Sequence, residues 1–231
     1  MKKYFFKYET IITILLIIFY LVTNSYCMQN YGLTDLRSAL CNLVLSLIIL
    51  IFIKINKLDG YYGLNKFSIN KKNLYYIPLI LIIFTNLFNG INVNNTINEI
   101  LIHTLLMVGV GFLEEIIFRG FLYKMMEKDN IKMASFVTSI TFGIGHILNL
   151  FNGSSLIPTL IQIVCAISIG FLFVTILQKE KSLYPCIITH ISINSLSIFN
   201  NSNNVISLYI GPSVLFITSV LYTIYLKKLD E

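Results

Sequence analysis

The chain has 231 residues, of which 56% are hydrophobic and only 12% charged. Soluble domains carry roughly twice that share of charge, about 25%, so a water-facing surface here would be covered in apolar patches. Disorder is excluded by the same apolar content. A net charge of +6 would suggest nucleic acid for a soluble protein. In so apolar a chain it reflects lysines collected in cytoplasmic loops, with the lipid bilayer rather than nucleic acid as partner.

At roughly 20 residues per span, the length allows about eight helices and little else. The apolar runs show none of the period-two alternation of a membrane barrel. They predict an all-α, polytopic membrane helix bundle of about eight transmembrane helices, forming one domain over residues 1–231. In chain order the helices cover about Thr10 to Met28, Leu36 to Ile53, Leu74 to Asn89, and Glu99 to Tyr123. The second half follows with about Met133 to Phe151, Thr159 to Gln178, Leu183 to Phe199, and Val205 to Leu226. Lys2 and Lys3 before an apolar stretch mimic a signal peptide. The run Asn24-Ser25-Tyr26-Cys27 offers no small-x-small cleavage site, so the stretch reads as the first span.

With the N-terminus inside, alternation across these helices places all 15 lysines on the cytoplasmic side and both termini in the cytoplasm. The opposite loops are short and rich in Asn, Ser and Gly. Tyr75, Tyr76, Tyr123, Tyr184 and Tyr225 sit beside the lysine-bearing loops, as an interfacial aromatic belt would. The longest polar stretch, Lys54 to Asn73, reads as a basic cytoplasmic loop and suits a cytoplasmic approach of substrate. Cys27, Cys41, Cys165 and Cys186 form no C-x-x-C pair and read as small packing residues.

Charges at bilayer depth cost about 2.5–3.5 kcal/mol each on insertion scales, so those present are informative. The fourth helix carries Glu114, Glu115 and Arg119. Glu115 and Arg119, four residues apart, share a face and can pair. Glu114, rotated by about 100° from Glu115 in a regular α-helix, has no obvious partner on its own helix. The fifth helix carries His146, four residues after Phe142, with Gly143 and Gly145 between them allowing close helix approach. The seventh carries His190 and Asn194, again four apart. Counted from the cytoplasmic helix ends at about 1.5 Å per residue, Glu114, His146, His190 and Asn194 lie roughly 15, 20, 11 and 17 Å deep. Three helices thus place an acid, two imidazoles and an amide in one slab. His103 falls about 16 Å from Glu114 along the same helix and reads as an interfacial or core histidine.

A carboxylate in an apolar pocket suits a general base, a histidine can help it activate water, and a second histidine with an amide can hold an oxyanion. Glu114, His146 and His190 could alternatively hold zinc with a position left for water. No H-E-x-x-H or G-x-S-x-G motif is present.

Glu114-Glu115-x-x-x-Arg119, Phe142-x-x-x-His146 and His190-x-x-x-Asn194, in that order on three membrane helices, resemble the motifs of the CAAX prenyl endopeptidase and bacteriocin-processing (CPBP, or Abi) family of intramembrane proteases. The resemblance covers about Glu99 to Asn200. It implies cleavage of a peptide bond in a membrane-associated peptide or protein, in bacteriocin processing or self-immunity. Carried over, Glu114 and His146 would activate water, His190 and Asn194 would form the oxyanion site, and Glu115 and Arg119 would be a structural pair with Phe142 packed beside them. The family is described both as a metalloprotease and as a metal-free glutamate protease, so zinc stays open. Two other functions fit the same residues: a non-catalytic immunity or scaffold protein, and a proton-coupled transporter. The latter expects charges at several depths and repeat symmetry, neither of which the sequence displays. The Ile, Asn and Lys bias points to a bacterial plasma membrane.

Overall fold

In the computed structural model residues 2–64, 76–201 and 207–229 are described. The expectations for Lys66, Lys71, Lys72 and Tyr75, and for the starts of the third and eighth helices at Leu74 and Val205, fall outside them. A short α1 (Lys2–Lys7) leads into α2 (Glu9–Tyr31) and α3 (Leu36–Ile55). After α4 (Ile77–Ile83), a 3₁₀ segment covers Phe84–Asn89. The central helix is α5 (Ile97–Glu114), continued by a π-helical stretch over Glu115–Leu122 and by α6 (Tyr123–Met126). Then come α7 (Ile131–Gly145) with a 3₁₀ turn His146–Leu150, α8 (Leu156–Glu180), α9 (Tyr184–Leu196) and α10 (Ser207–Lys228).

Each expected helix has a counterpart, and the bundle is all-α. Six of them are long and apolar enough to cross a membrane among the described residues. Among the described residues the third and seventh are shorter than a span. The 13 residues of α9 reach about 20 Å, against a hydrocarbon core of roughly 30 Å. Hydropathy does not register this, because Phe84, Leu87 and Phe88 after α4 and Ile198 and Phe199 after α9 extend the apolar count into 3₁₀ turns.

The surface explains the composition. Ile11, Leu15, Ile18 and Val22 of α2 are 53–61% exposed at helical spacing, a stripe that only lipid can cover. Inside, small and hydroxyl residues hold the helices together, as expected where hydrocarbon supplies no hydrophobic drive. Ser46 Oγ donates to the carbonyls of Asn42 (2.8 Å) and Gly109 (3.3 Å), tying α3 to α5. A Cβ on Gly143 would meet Ile167 Cγ1 at 2.3 Å and the Ile163 carbonyl oxygen at 3.0 Å, so α7 and α8 touch backbone to backbone there.

Tertiary contacts sort the two ends. At one, Lys128 pairs with Glu9, Tyr61 donates to the Lys124 carbonyl (3.2 Å), and Lys179 donates to the Leu226 carbonyl (3.4 Å). At the other, Ser25 donates to Asn152 (2.9 Å), and the Asn92 amide donates to the Phe199 carbonyl (2.8 Å). The described lysines that follow α3, α6, α8 and α10 therefore share one end. On the lysine-free end, Asp35 caps α3 and takes hydrogen bonds from Arg37, whose guanidinium holds the Asp35 carboxyl down to about 2. Tyr184 and Tyr225 are 37% and 49% exposed, as an interfacial belt requires, but Tyr123 is not part of it. That ring is buried, and its hydroxyl accepts from Gln178 Nε2 at 3.0 Å.

Because the new methyl would press on backbone, Gly143→Ala is expected to destabilise the protein by about 1–3 kcal/mol. Gly145→Ala meets only the flexible end of Leu21, at 3.3 Å, and is expected to stay within about 0.5 kcal/mol. Thermal unfolding of the two variants in detergent measures the difference.

Candidate active site

The π-helical stretch begins at Glu115, immediately after Glu114. Such widened turns (i→i+5 hydrogen bonds) are rare and concentrate at functional sites. Sequence spacing predicts a regular α-helix here; the widened turn relaxes the 100° offset between the two glutamates while keeping Glu115 and Arg119 in contact.

Arg119 Nη1 donates to Glu115 Oε1 at 3.1 Å, and neither side chain has any exposure. The same Oε1 lies 2.7 Å from His190 Nδ1. A carboxylate paired with arginine can only accept, so Nδ1 carries the proton of that bond and Nε2 is turned the other way. It faces Glu114, with Nε2 to Oε2 at 3.4 Å. His190 thus bridges the two glutamates. Arg119 also lies over the Phe142 ring at 4.1 Å and within 5.5 Å of the Phe173 ring, so cation–π contact adds to its pairing. Phe142 is the packing centre, edge-on to His146 (5.5 Å) and to His190 (5.8 Å).

Glu114 has a partner that motif spacing does not reveal. Tyr20 of α2, 1% exposed, donates its hydroxyl to Glu114 Oε1 at 2.7 Å. In the sequence Tyr20 is one aromatic in an apolar run, and nothing local distinguishes it. His103 is the core histidine that the reading allows. It does not line the site, but its Nε2 is 3.0 Å from the Asn194 carbonyl, holding α9 in place at that residue.

Glu114, His146, His190 and Asn194 all line one cavity of about 750 Å³, within the roughly 300–1,000 Å³ common for ligand pockets. A small recess of about 40 Å³ adjoins Glu114, Phe142 and His146 and shares Asn149 and Asn152 with the main cavity. The zinc alternative requires three converging donors. Among the described residues no group of three or more His, Cys, Asp and Glu side chains could hold a metal ion. Glu114 Oε2 and His190 Nε2 approach to 3.4 Å, but no third donor of these kinds converges with them. The residues as placed do not fit a three-ligand zinc site.

Comparison with known families matches residues 96–196 to the Type II CAAX prenyl endopeptidase Rce1-like family. This segment runs from the capping threonine of α5 to the end of α9 and contains every motif residue from Glu114 to Asn194. The match covers less than half of the chain; together with the motif residues it supports a membrane protease similar to the CPBP (Abi) family. Comparison with curated proteins gives no match.

Arg119→Leu would strand the Glu115 carboxylate in the core and is expected to cost about 3–5 kcal/mol. Replacing both partners with leucine should recover much of that loss. Unfolding of the single and double variants in detergent measures this.

Proposed function

We propose that the protein is an intramembrane endopeptidase that hydrolyses a peptide bond in a membrane-associated peptide or protein through water activated by Glu114, without a metal. The observation that carries this reading is the recess beside Glu114 and His146. One water needs roughly 10–15 Å³ on the same measure and several polar partners. About 40 Å³ with Glu114, His146, Asn149 and Asn152 on its walls provides both, and it adjoins a cavity large enough for a short peptide.

Glu114 takes a proton from the water as its oxygen attacks the scissile carbonyl carbon, and His146 orients that water. The carbonyl π pair moves onto oxygen, and the Asn194 amide stabilises the oxyanion, joined by His190 Nε2 when that imidazole is charged and both of its nitrogens donate. When the tetrahedral intermediate collapses, the C–N bond breaks and Glu114 returns its proton to the departing amine. Glu115 and Arg119 do not touch the substrate; they fix the ring of His190. A peptide or bacteriocin-like precursor in a bacterial plasma membrane is the substrate class that this reading favours. A relay across the bilayer is less well supported, because Glu115, Arg119 and Phe118 beyond Glu114 are buried to within 1%.

Glu114→Gln keeps the shape but removes the base, and is expected to lower cleavage of a peptide library in detergent by about 10²–10⁴-fold. Full activity in that variant would overturn the assignment and favour a binding protein of the same fold. Cleavage should persist in strong chelator, with no stoichiometric metal by elemental analysis. Tyr20→Phe removes one charge-assisted hydrogen bond, worth about 1.5–3 kcal/mol. It is expected to lower kcat by roughly tenfold or more while leaving KM nearly unchanged, since Tyr20 orients the base rather than binding peptide.

A further inference from the structure

The cavity beside Glu114 has a direction. Its innermost lining residues are Glu114, Phe142 and His190, and its rim reaches Gly32, Asn152 and Ser154. The rim residues belong to the connections after α2 and after α7, at the end of the bundle without lysines. Among the described residues none of the lysine-bearing end lines the cavity. Toward that end the bundle is closed. Phe118, Arg119, Tyr123 and Phe173 are each at most 1% exposed, and roughly 18 Å of packed helix separates Glu114 from Met126 at a rise of 1.5 Å per residue.

The lysine-bearing end is the cytoplasmic one by the positive-inside rule. We infer that the site is loaded from the extracytoplasmic side, and that its substrate is an uncharged stretch of polypeptide presented at the outer face of the membrane. This deepens the protease reading and rests on it. It also reverses the cytoplasmic approach that the basic loops suggest: the described residues of those loops lie at the opposite end of the bundle, and none of them lines the cavity.

The chemistry of the walls defines the class. Among the described residues Glu114 is the one carboxylate of the lining, and no lysine or arginine joins it. Asn24, Asn86, Asn149 and Gln162 supply amides on several walls. An amide side chain both donates and accepts, as a peptide group does, so these walls match an extended backbone and give no counter-charge to an acidic or basic side chain. Between them Met107, Val110, Ile161 and Ile193 form apolar wall suited to an aliphatic side chain.

Thiol accessibility tests this without relying on catalysis. Cys41 and Cys165 are replaced by alanine, leaving the buried thiols Cys27 and Cys186. One cysteine is then introduced by Ala166→Cys, deep in the cavity, or by Lys132→Cys, exposed on the lysine-bearing end. A charged, membrane-impermeant thiol reagent is applied to right-side-out and inverted vesicles of the full chain. Ala166→Cys is expected to be modified in right-side-out vesicles and protected in inverted ones, and Lys132→Cys the reverse. Modification of Ala166→Cys from the inverted side only, or from neither side while detergent-solubilised protein reacts, overturns the inference. So does modification of Lys132→Cys in right-side-out vesicles. Because no cleavage is read, a finding that Glu114→Gln is fully active would remove the protease reading and leave the access result standing.

Discussion

A guanidinium buried without exposure in a membrane bundle is tenable only if an anion meets it, and the Arg119–Glu115 pair is that meeting. The rest of the site hangs from it. The oxygen of Glu115 that accepts from Arg119 also faces His190 Nδ1, so the ion pair sets both the tautomer and the direction of an imidazole on another helix. His190 then presents its second nitrogen to Glu114, whose other oxygen is held from a third helix by Tyr20. One desolvated charge pair orients three helices around a single carboxylate. Breaking the Arg119–Glu115 link would leave a fully buried charge with no partner.

Packing makes this arrangement affordable. Phe142 contacts Arg119, His146 and His190, and Gly143 beside it lets α8 close against α7. The same short stretch of α7 therefore supplies the aromatic that faces the cation, the close contact that fixes the helix, and the histidine four residues on. The widened turn after Glu114 lets two adjacent glutamates serve different partners.

Most of the helical plan is legible in the sequence, because in a bilayer span length, apolar run and lysine placement answer to the same physical limit. Two short helices escape it. Hydropathy measures residue type, and α4 and α9 end in tight turns that still hold large apolar residues, Phe84, Leu87 and Phe88 in one and Ile198 and Phe199 in the other. The Glu115–Arg119 contact and the shared depth of Glu114, His146, His190 and Asn194 follow from spacing and rise. Tyr20 and the role of His103 do not follow, because both depend on which face of one helix meets which face of another. Tyr123 misleads for the same reason: its proximity to Lys124 suggests an interfacial ring, but the face it occupies turns it toward Gln178.

The hydroxyl of Tyr20 comes from a helix well ahead of the matched segment 96–196, and the walls of the cavity draw on α10 beyond it. The recognisable motif region is thus not a self-contained cassette. Transplanted onto unrelated flanking helices, it would keep its ion pair but lose the clamp on its base and one side of its substrate chamber. Divergent outer helices around a common centre would then give related chains differently shaped chambers, with selectivity drifting while the hydrolytic apparatus stays fixed.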